Sequence, residues 1–583
     1  MTATETGAEA PPAGREPVRP GLWLLGALTL TFLVYAPTLA FDFVYDDTVI
    51  VRDNPLIRDL GNVPRYFTAD LWTVVPPFQR GQFYRPLWQA YATVSYAVHG
   101  LDTRAWHLGL IFIHLAITAL IYPAARRLTG DRAASLIATL LFGLHPIHGE
   151  AVAWVAGANA SLSALPVLIC VLCGWAGLDS TGRTRQLWLA GSLIAFTVGL
   201  FIKEDAVAGP GILAISAWCL PREGRRPTLL ELFLLLIPFG LVFLLYLPMR
   251  FLAIGHLSMA VNRLGWGTIL CALPKGLCTL GAMLLVPVDL SVQYPAWPNA
   301  TTGPADVPGP LLLLTLAAVG FGLAVRRDPR LGAALAFGLS VVPLMNLKNL
   351  ARGEILHDRF LYIPSIGFGL LLALVISRGL RRSRRSRQVT LAAAALVALG
   401  YAALTVRQTR AFADDIALFR NAHRVAPRST HALENLICAH LAAGHMARSE
   451  ELAEELIKID ASFWRGHAFR GFLLAERGEF EPARAAIQRS LTLNPRDPVP
   501  LRWQLGRIEL ELGHPKAALE HLHHVAKLSP QAPDLALFIG RCHEALGDRR
   551  EAAKWYLRQL RRTGRDPRVI ERLRALQRDG SKP

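Results

Sequence analysis

Residues 41–55, FDFVYDDTVIVRDNP, place two adjacent carboxylates, Asp46 and Asp47, directly after an apolar run. Neighbouring acids repel when both are ionised, so a cation, a metal or hydrogen-bond donors must share their site. A carboxylate positioned in this way can deprotonate a hydroxyl; a solvated acidic loop is the plain alternative. Residues 81–91, GQFYRPLWQAY, set Arg85 between Tyr84 and Pro86, and residues 144–154, LHPIHGEAVAW, carry His145, His148 and Glu150. Lys203-Glu204 closes another apolar run, and DRFLYIPSIGF, residues 358–368, puts Arg359 just before one more. Arginine offers a planar fork that matches phosphate. Arg85, Lys203 and Arg359 are therefore candidate phosphate-binding cations, with His145 as a donor behind them and Glu150 and Glu204 as further acids of the set. Helical zinc sites space histidines at i, i+4, whereas His145 and His148 stand three apart and flank Pro146. They read as phosphate-bonding or helix-end residues. A divalent metal is compatible with the acidic pair, but the spacing does not call for one.

The elements that must position these residues are membrane helices. The 583 residues are 52% hydrophobic and only 18% charged, too apolar for an ordinary soluble protein of this length. The formal net charge of +18 does not point to nucleic acid, because the arginines cluster between apolar runs, at Arg126-Arg127, Arg222 to Arg226 and Arg378 to Arg387. Seven cysteines are scattered, and the close pair Cys170 and Cys173 lies within an apolar run, so buried thiols are expected rather than disulfides. Residues 1–20 read as a disordered cytoplasmic tail, and 21–40 as an uncleaved first span.

Further apolar runs lie near 105–125, 133–147, 158–178, 187–202, 206–220, 229–249, 309–325, 331–347, 361–377 and 389–406, for about eleven spans in all. If the N-terminus is cytoplasmic, the basic loops at 126–132, 183–185, 222–226, 326–330 and 378–387 all share its side. One further run, Trp266 to Leu285, carries Pro274 and Lys275 centrally and would break this pattern as a span; it reads as interfacial or re-entrant. The opposite rim then gathers Asp42, Asp46, Asp47, Arg85, Glu150, Lys203, Glu204, Asp205 and Arg250, with Lys348, Arg352, Glu354, His357, Asp358 and Arg359. A rim of mixed acids and bases suits activation of an acceptor and binding of a phosphate leaving group. Within the spans, ionisable residues are few beyond His107, His114 and Glu231, which argues against a transporter.

After Gln408 the pattern becomes that of amphipathic helices. Gly471, Gly506 and Gly540 step by 35 and 34 residues; a glycine follows each after seven (Gly478, Gly513, Gly547) and an alanine after twelve (Ala483, Ala518, Ala552). Pro495 and Pro530 close two units, a degenerate unit surrounds Gly444, and a half-unit from Phe412 ends at Pro427. These are the close contacts, turns and stops of tetratricopeptide (TPR) helix pairs, whose usual work is to grip a peptide or helix of a partner protein.

Taken in order, Asp46-Asp47 with Asn54-Pro55, Tyr84-Arg85-Pro86, His107 to His114, Leu144-His145-Pro146 with Glu150-Ala151-Val152, Lys203-Glu204, Arg359 with Leu361 to Ser365, and the repeats resemble the transmembrane and TPR-containing O-mannosyltransferases and their prokaryotic relatives. The resemblance implies an all-α chain with a GT-C glycosyltransferase domain over 21–408 and a TPR solenoid over 409–583. It also implies transfer of a sugar, mannose in the eukaryotic members, from a polyprenyl-phosphate carrier to a protein hydroxyl with inversion, the first external loop supplying the catalytic carboxylate. On this reading Asp47 or Asp46 is the base, Asp47 slightly favoured. The sequence departs from the family at Gly157-Ala158-Asn159-Ala160-Ser161, where Gly-Arg followed by an acid is common. A membrane-anchored TPR scaffold without catalysis is the other class to weigh. The topology predicts that a reporter active only outside the cytoplasm works when fused after Gln408 and fails after Arg382; cytoplasmic activity after Gln408 would overturn the span count.

Overall fold

The computed structural model describes residues 20–72, 83–220, 225–256, 265–295, 304–345, 356–494, 496 and 498–580. The expected tail at 1–19, the rim residues Lys348, Arg352 and Glu354, part of the basic loop at 222–226, and Pro495 lie outside them. The described chain is helical, without a β-strand, and divides into two compact units, Met1–Ala426 and Pro427–Pro583.

The first unit contains α1 (Pro20–Tyr35), α2 (Pro86–His99), α3 (Thr103–Thr129), α4 (Arg132–Gly143), α5 (Gly149–Ala153), α6 (Asn159–Asp179), α7 (Gly182–Ile202), α8 (Ala208–Cys219), α9 (Leu229–Ile254), α10 (Trp266–Leu285), α11 (Pro308–Arg327), α12 (Arg330–Leu335), α13 (Tyr362–Arg382), α14 (Arg384–Thr409) and α15 (Asp415–Val425). Among the described residues, nine helices are long and apolar enough to cross a bilayer, or ten if the bent pair from Arg132 to Ala153 is one span. A 20-residue helix rises about 30 Å, the thickness of a hydrocarbon core, and satisfies its own backbone polar groups. The chain is an integral membrane protein. Exposed leucines along α9, α11 and α14 are the surface such a helix offers to lipid.

Several expected spans are not simple rods. The run at 133–147 bends by 45° at Pro146, which cannot donate to the helix ladder. The run at 331–347 is a short α-helix that tightens to a 3-10 helix through Ala336–Met345; the two together rise about 29 Å. Residues 266–285 form a continuous helix despite Pro274. Glu231 is not an acid within the membrane interior: it sits in the first turn of α9, where it and Thr228 form a reciprocal capping box, and it pairs with Arg225. All seven cysteines are free; Cys170, Cys219 and Cys542 are buried, but Cys438 is exposed, contrary to a uniform set of buried thiols.

Side-chain contacts show which helix ends meet. At one end, Arg330 donates to the Leu128 carbonyl (3.2 Å), Arg381 to the Thr129 carbonyl (2.9 Å), Arg378 pairs with Asp328 (2.5 Å) and Arg127 pairs with Asp179. The ends of α3, α6 and α13 and the start of α12 thus share the basic side. At the other end, Thr405 of α14 donates to the Leu144 carbonyl (2.7 Å) and the Leu284 carbonyl, in the last turn of α10, meets His145 (3.0 Å). Helix α15 packs here too: Asn421 donates to the Leu290 carbonyl (3.0 Å). Residues 409–426, expected to open the repeat array, therefore belong to the membrane unit.

The second unit is a solenoid of paired helices, α16 (Thr430–Ala442) with α17 (Met446–Ile459), α18 (Trp464–Glu476) with α19 (Phe480–Leu493), α20 (Val499–Glu511) with α21 (Pro515–Leu528), and α22 (Leu535–Ala545) with α23 (Arg549–Thr563), closed by α24 (Pro567–Gly580). A Cβ on Gly471, Gly506 or Gly540 would lie 2.6 Å from Ile487, 2.8 Å from Leu522 or 2.5 Å from Tyr556, so only glycine lets each pair close. Gly478, Gly513 and Gly547 adopt φ near +80° at the intervening turns, and Ala483, Ala518 and Ala552 are fully buried. Gly506→Val is expected to destabilise the solenoid by about 1–3 kcal/mol through overpacking against Leu522, measurable as an earlier denaturant transition.

Candidate active site

The first external segment is built around a tight turn. The Asp47 N–H donates to the Val44 carbonyl (3.0 Å), and the Val44 N–H donates back to Asp47 Oδ2 (3.2 Å). Tyr45 turns the chain at φ +51°, a left-handed conformation that costs a β-carbon residue about 1–2 kcal/mol. Its N–H donates to Asp415 of α15 (2.7 Å), and its ring lies between Trp154 (centroids 6.0 Å apart) and Phe419 (5.1 Å). Asp47 Oδ1 then accepts the Ala156 N–H (2.6 Å), just ahead of α6. Asp47 is fully buried; burial pushes its carboxyl well above the usual range, against the pull of its backbone hydrogen bonds. Asp46 is only partly buried. The adjacent acids thus have different environments, and Asp47 ties the loop to the start of α6.

Each expected phosphate-binding cation has a resident acid. Arg85, at the start of α2, is buried, pairs with Glu204 (3.3 Å) and stacks on Phe83 (4.5 Å). Lys203, at the end of α7, pairs with Asp205 (2.7 Å), whose other oxygen accepts from Ser163 (2.8 Å). Arg359, in the 3-10 turn before α13, binds fully buried Glu150 through its guanidinium and through its N–H (2.9 Å), with His357 Nδ1 3.5 Å from the same carboxylate. Burial would raise the Glu204 carboxyl, but Arg85 and Arg250 outweigh it and hold the group at about 2.

Aromatic rings bring these pairs together. The Lys203 ammonium and the Arg359 guanidinium each lie 5.5 Å from the Phe360 centroid, and Arg359 also lies 5.0 Å from Trp154, which stacks on Tyr45. Tyr45 of the first loop, Arg359 and Lys203 are thereby linked through Trp154 and Phe360, while Arg85 joins through Glu204, the residue after Lys203. Among the described residues no group of three or more His, Cys, Asp or Glu side chains is arranged to hold a metal ion.

His145 does not join this set. Its Nε2 donates to the Leu284 carbonyl (3.0 Å) and its Nδ1 accepts the Ile147 N–H (3.2 Å), so neither nitrogen has an N–H left for phosphate; it caps the broken end of α4–α5. His148 reaches Ser365 (2.8 Å) and His114 reaches Tyr362 (2.6 Å), which joins α3 and α5 to α13 inside the bundle. Asn54 closes its own loop, accepting from the Leu56 N–H (2.8 Å) and donating to the Ile50 carbonyl (3.0 Å).

Sequence reasoning missed Trp154, Phe360, Asp205 as the Lys203 partner, Tyr294, whose hydroxyl bonds the buried Asp358, and Asp415. Phe360 directly follows Arg359, and that adjacency was the one available signal.

The fold and site define a helical integral membrane protein with a mixed acid–base cluster at one end of its bundle, followed along the chain by a TPR solenoid. Residues 509–576 match the tetratricopeptide repeat family. Over 191 residues the chain is 30% identical to Protein O-mannosyl-transferase TMTC2 of Homo sapiens, covering 32% of this chain and 22% of that one. It is 25% identical over 501 residues to Protein O-mannosyl-transferase Tmtc3 of Drosophila melanogaster, covering 73% of this chain and 54% of the relative, and 25% identical over 481 residues to TMTC3 of Mus musculus, covering 73% and 49%. The chain thus spans about half, or less, of the length of these relatives.

Removing one partner of a buried ion pair strands the other charge. Arg359→Ala is therefore expected to cost about 3–5 kcal/mol through Glu150, and Asp47→Asn about 1–3 kcal/mol, because an amide NH2 cannot accept one of the two N–H bonds. Thermal unfolding in detergent checks both, and Arg359→Lys is the gentler probe of the phosphate role.

Proposed function

We propose that this chain transfers a sugar from a polyprenyl-phosphate carrier to a serine or threonine hydroxyl of a protein, at the non-cytoplasmic face of a GT-C-type membrane domain. The observation that carries the reading is the cluster itself: Arg85, Lys203 and Arg359, from three different elements, converge beside a loop with one accessible and one buried aspartate. The names of the relatives support the reaction class, and mannose is the sugar they suggest.

Asp46 is the base and Asp47 the anchor that holds it. Asp46 takes the acceptor hydroxyl proton as the hydroxyl oxygen attacks the anomeric carbon; the bond from that carbon to the phosphate oxygen breaks, and its electron pair leaves on the phosphate. Attack from the opposite face inverts the centre. The three cations offset the charge of the leaving phosphate, so no acid need protonate it. Each cation is already oriented by a carboxylate and a ring, and therefore needs little reorganisation when the donor binds.

Helix ends support eleven crossings. Helix α9 ends beside the cluster, where Arg250 acts on Glu204, and the last turn of α10 is also there, at His145. This reading keeps α10 as an interfacial or re-entrant element that begins and ends on the cluster side. With α10 uncounted and α8 and the α12 segment counted, α14 ends on the cluster side, opposite the basic loops. The TPR array serves acceptor binding.

Asp46→Asn is expected to slow single-turnover transfer from polyprenyl-phosphate mannose to a peptide library by about a hundredfold to ten-thousandfold while the protein still unfolds cooperatively on heating. Transfer at the parental rate would sink the mechanism.

A further inference from the structure

A second charged site lies beside the cluster and takes no part in the reaction above. A cavity of about 260 Å³ opens between the end of α14, α15 and residues 287–289. Arg407, in the last turn of α14, Arg410, just after it, and Arg420 and Arg424, from α15, converge on it with a single acid, Asp289. Asp289 is taken by Arg424 (2.7 Å), while Arg407, Arg410 and Arg420 have no ion-pair partner among the described residues. Gln408 also lines the cavity, and its Nε2 is a buried donor with no acceptor. Asp289 adopts φ +54°, a strained conformation that places its carboxylate on Arg424.

Four guanidinium groups gathered around one carboxylate repel each other and leave an excess of donors. The arrangement lies at the end of α14 opposite the basic loops, where the positive-inside rule gives arginine no reason to collect. An anion with several acceptor oxygens offsets this charge and takes up the spare guanidinium donors. Location decides its source. Arg407 and Arg410 close a membrane-crossing helix whose flank, including Leu396 and Leu399, is exposed for hydrocarbon, so the cavity lies at headgroup depth with an apolar path for acyl chains below it.

We propose that this cavity binds the phosphodiester headgroup of an anionic phospholipid, as a site separate from the donor site. The Gln408 side chain packs 3.0 Å from where a Cβ on Gly149 would stand, one residue before Glu150, so headgroup binding also buttresses the turn that carries the Arg359 partner. The site stands whether or not the transferase reading does.

The test uses the full chain in detergent, with lipid retention read by native mass spectrometry after incubation with equal amounts of phosphatidylglycerol and phosphatidylcholine. Wild type is expected to retain phosphatidylglycerol about tenfold over phosphatidylcholine. The double variant Arg407→Ala, Arg420→Ala should lose that preference, whereas Arg385→Ala, Arg387→Ala at the opposite end keeps it; thermal unfolding confirms that both variants fold. Because all four residues are exposed, a folded product is expected, and Arg420→Glu provides a second, charge-reversed variant. Equal retention of the two lipids, or equal loss in the Arg385, Arg387 variant, overturns the proposal. Stabilisation by inorganic phosphate as large as that by the lipid also overturns it, assigning the cavity to soluble phosphates.

Discussion

Charge out of reach of water has to be paired, and at the edge of this bundle that requirement organises nearly everything else. Glu150 is fully buried and survives there because Arg359 gives it a guanidinium and a backbone N–H. Asp47, equally buried, is held by backbone N–H groups from its own turn and from the start of α6. The Glu150–Arg359 pair is not a cheap source of stability, since the desolvation of two ions consumes much of their attraction. What the pairing secures is position: a cation bound to one carboxylate and flanked by an aromatic ring has one orientation rather than many.

That positional logic explains why the cluster draws on so many elements. Arg85 comes from the start of α2, Lys203 from the end of α7, Arg359 from the turn before α13, and Glu150 from the broken α4–α5 rod. Helix termini are where polar side chains can leave the apolar interior, and a bundle brings several termini to one level. The bend at Pro146 matters for the same reason, because it carries Glu150 inward under Arg359 while His145 satisfies the carbonyl at the end of α10. Phe360 and Trp154 then separate like charges without adding charge of their own.

The solenoid obeys a different constraint. Its helices close on one another through a glycine at the crossing in three of the four pairs and a left-handed glycine at the turn within each pair. The two units share a chain but not a packing principle: one buries paired charge among apolar rods, the other interlocks small and large side chains in a repeating register.

The repeats were therefore legible at the level of single residues. Gly471, Gly506 and Gly540 recur because local packing admits no other side chain, and a local rule repeated along the chain is visible as a period. The apolar runs and basic loops were legible for a related reason: bilayer thickness and the cost of moving arginine across it act on each segment separately. The candidate cations and acids also stood out by type, at the edges of those runs. What their types could not show is which acid faces which base. Asp46 and Asp47 are adjacent and chemically identical; only the Ala156 N–H, more than a hundred residues away in sequence, makes one a buried anchor and leaves the other more open. His145 looked like a phosphate donor until the end of α10 claimed its Nε2, and Asp415 looked like part of a repeat until it bound the Tyr45 N–H. Composition and period report forces that act within a segment; partner choice depends on which distant segments the fold brings within hydrogen-bond reach.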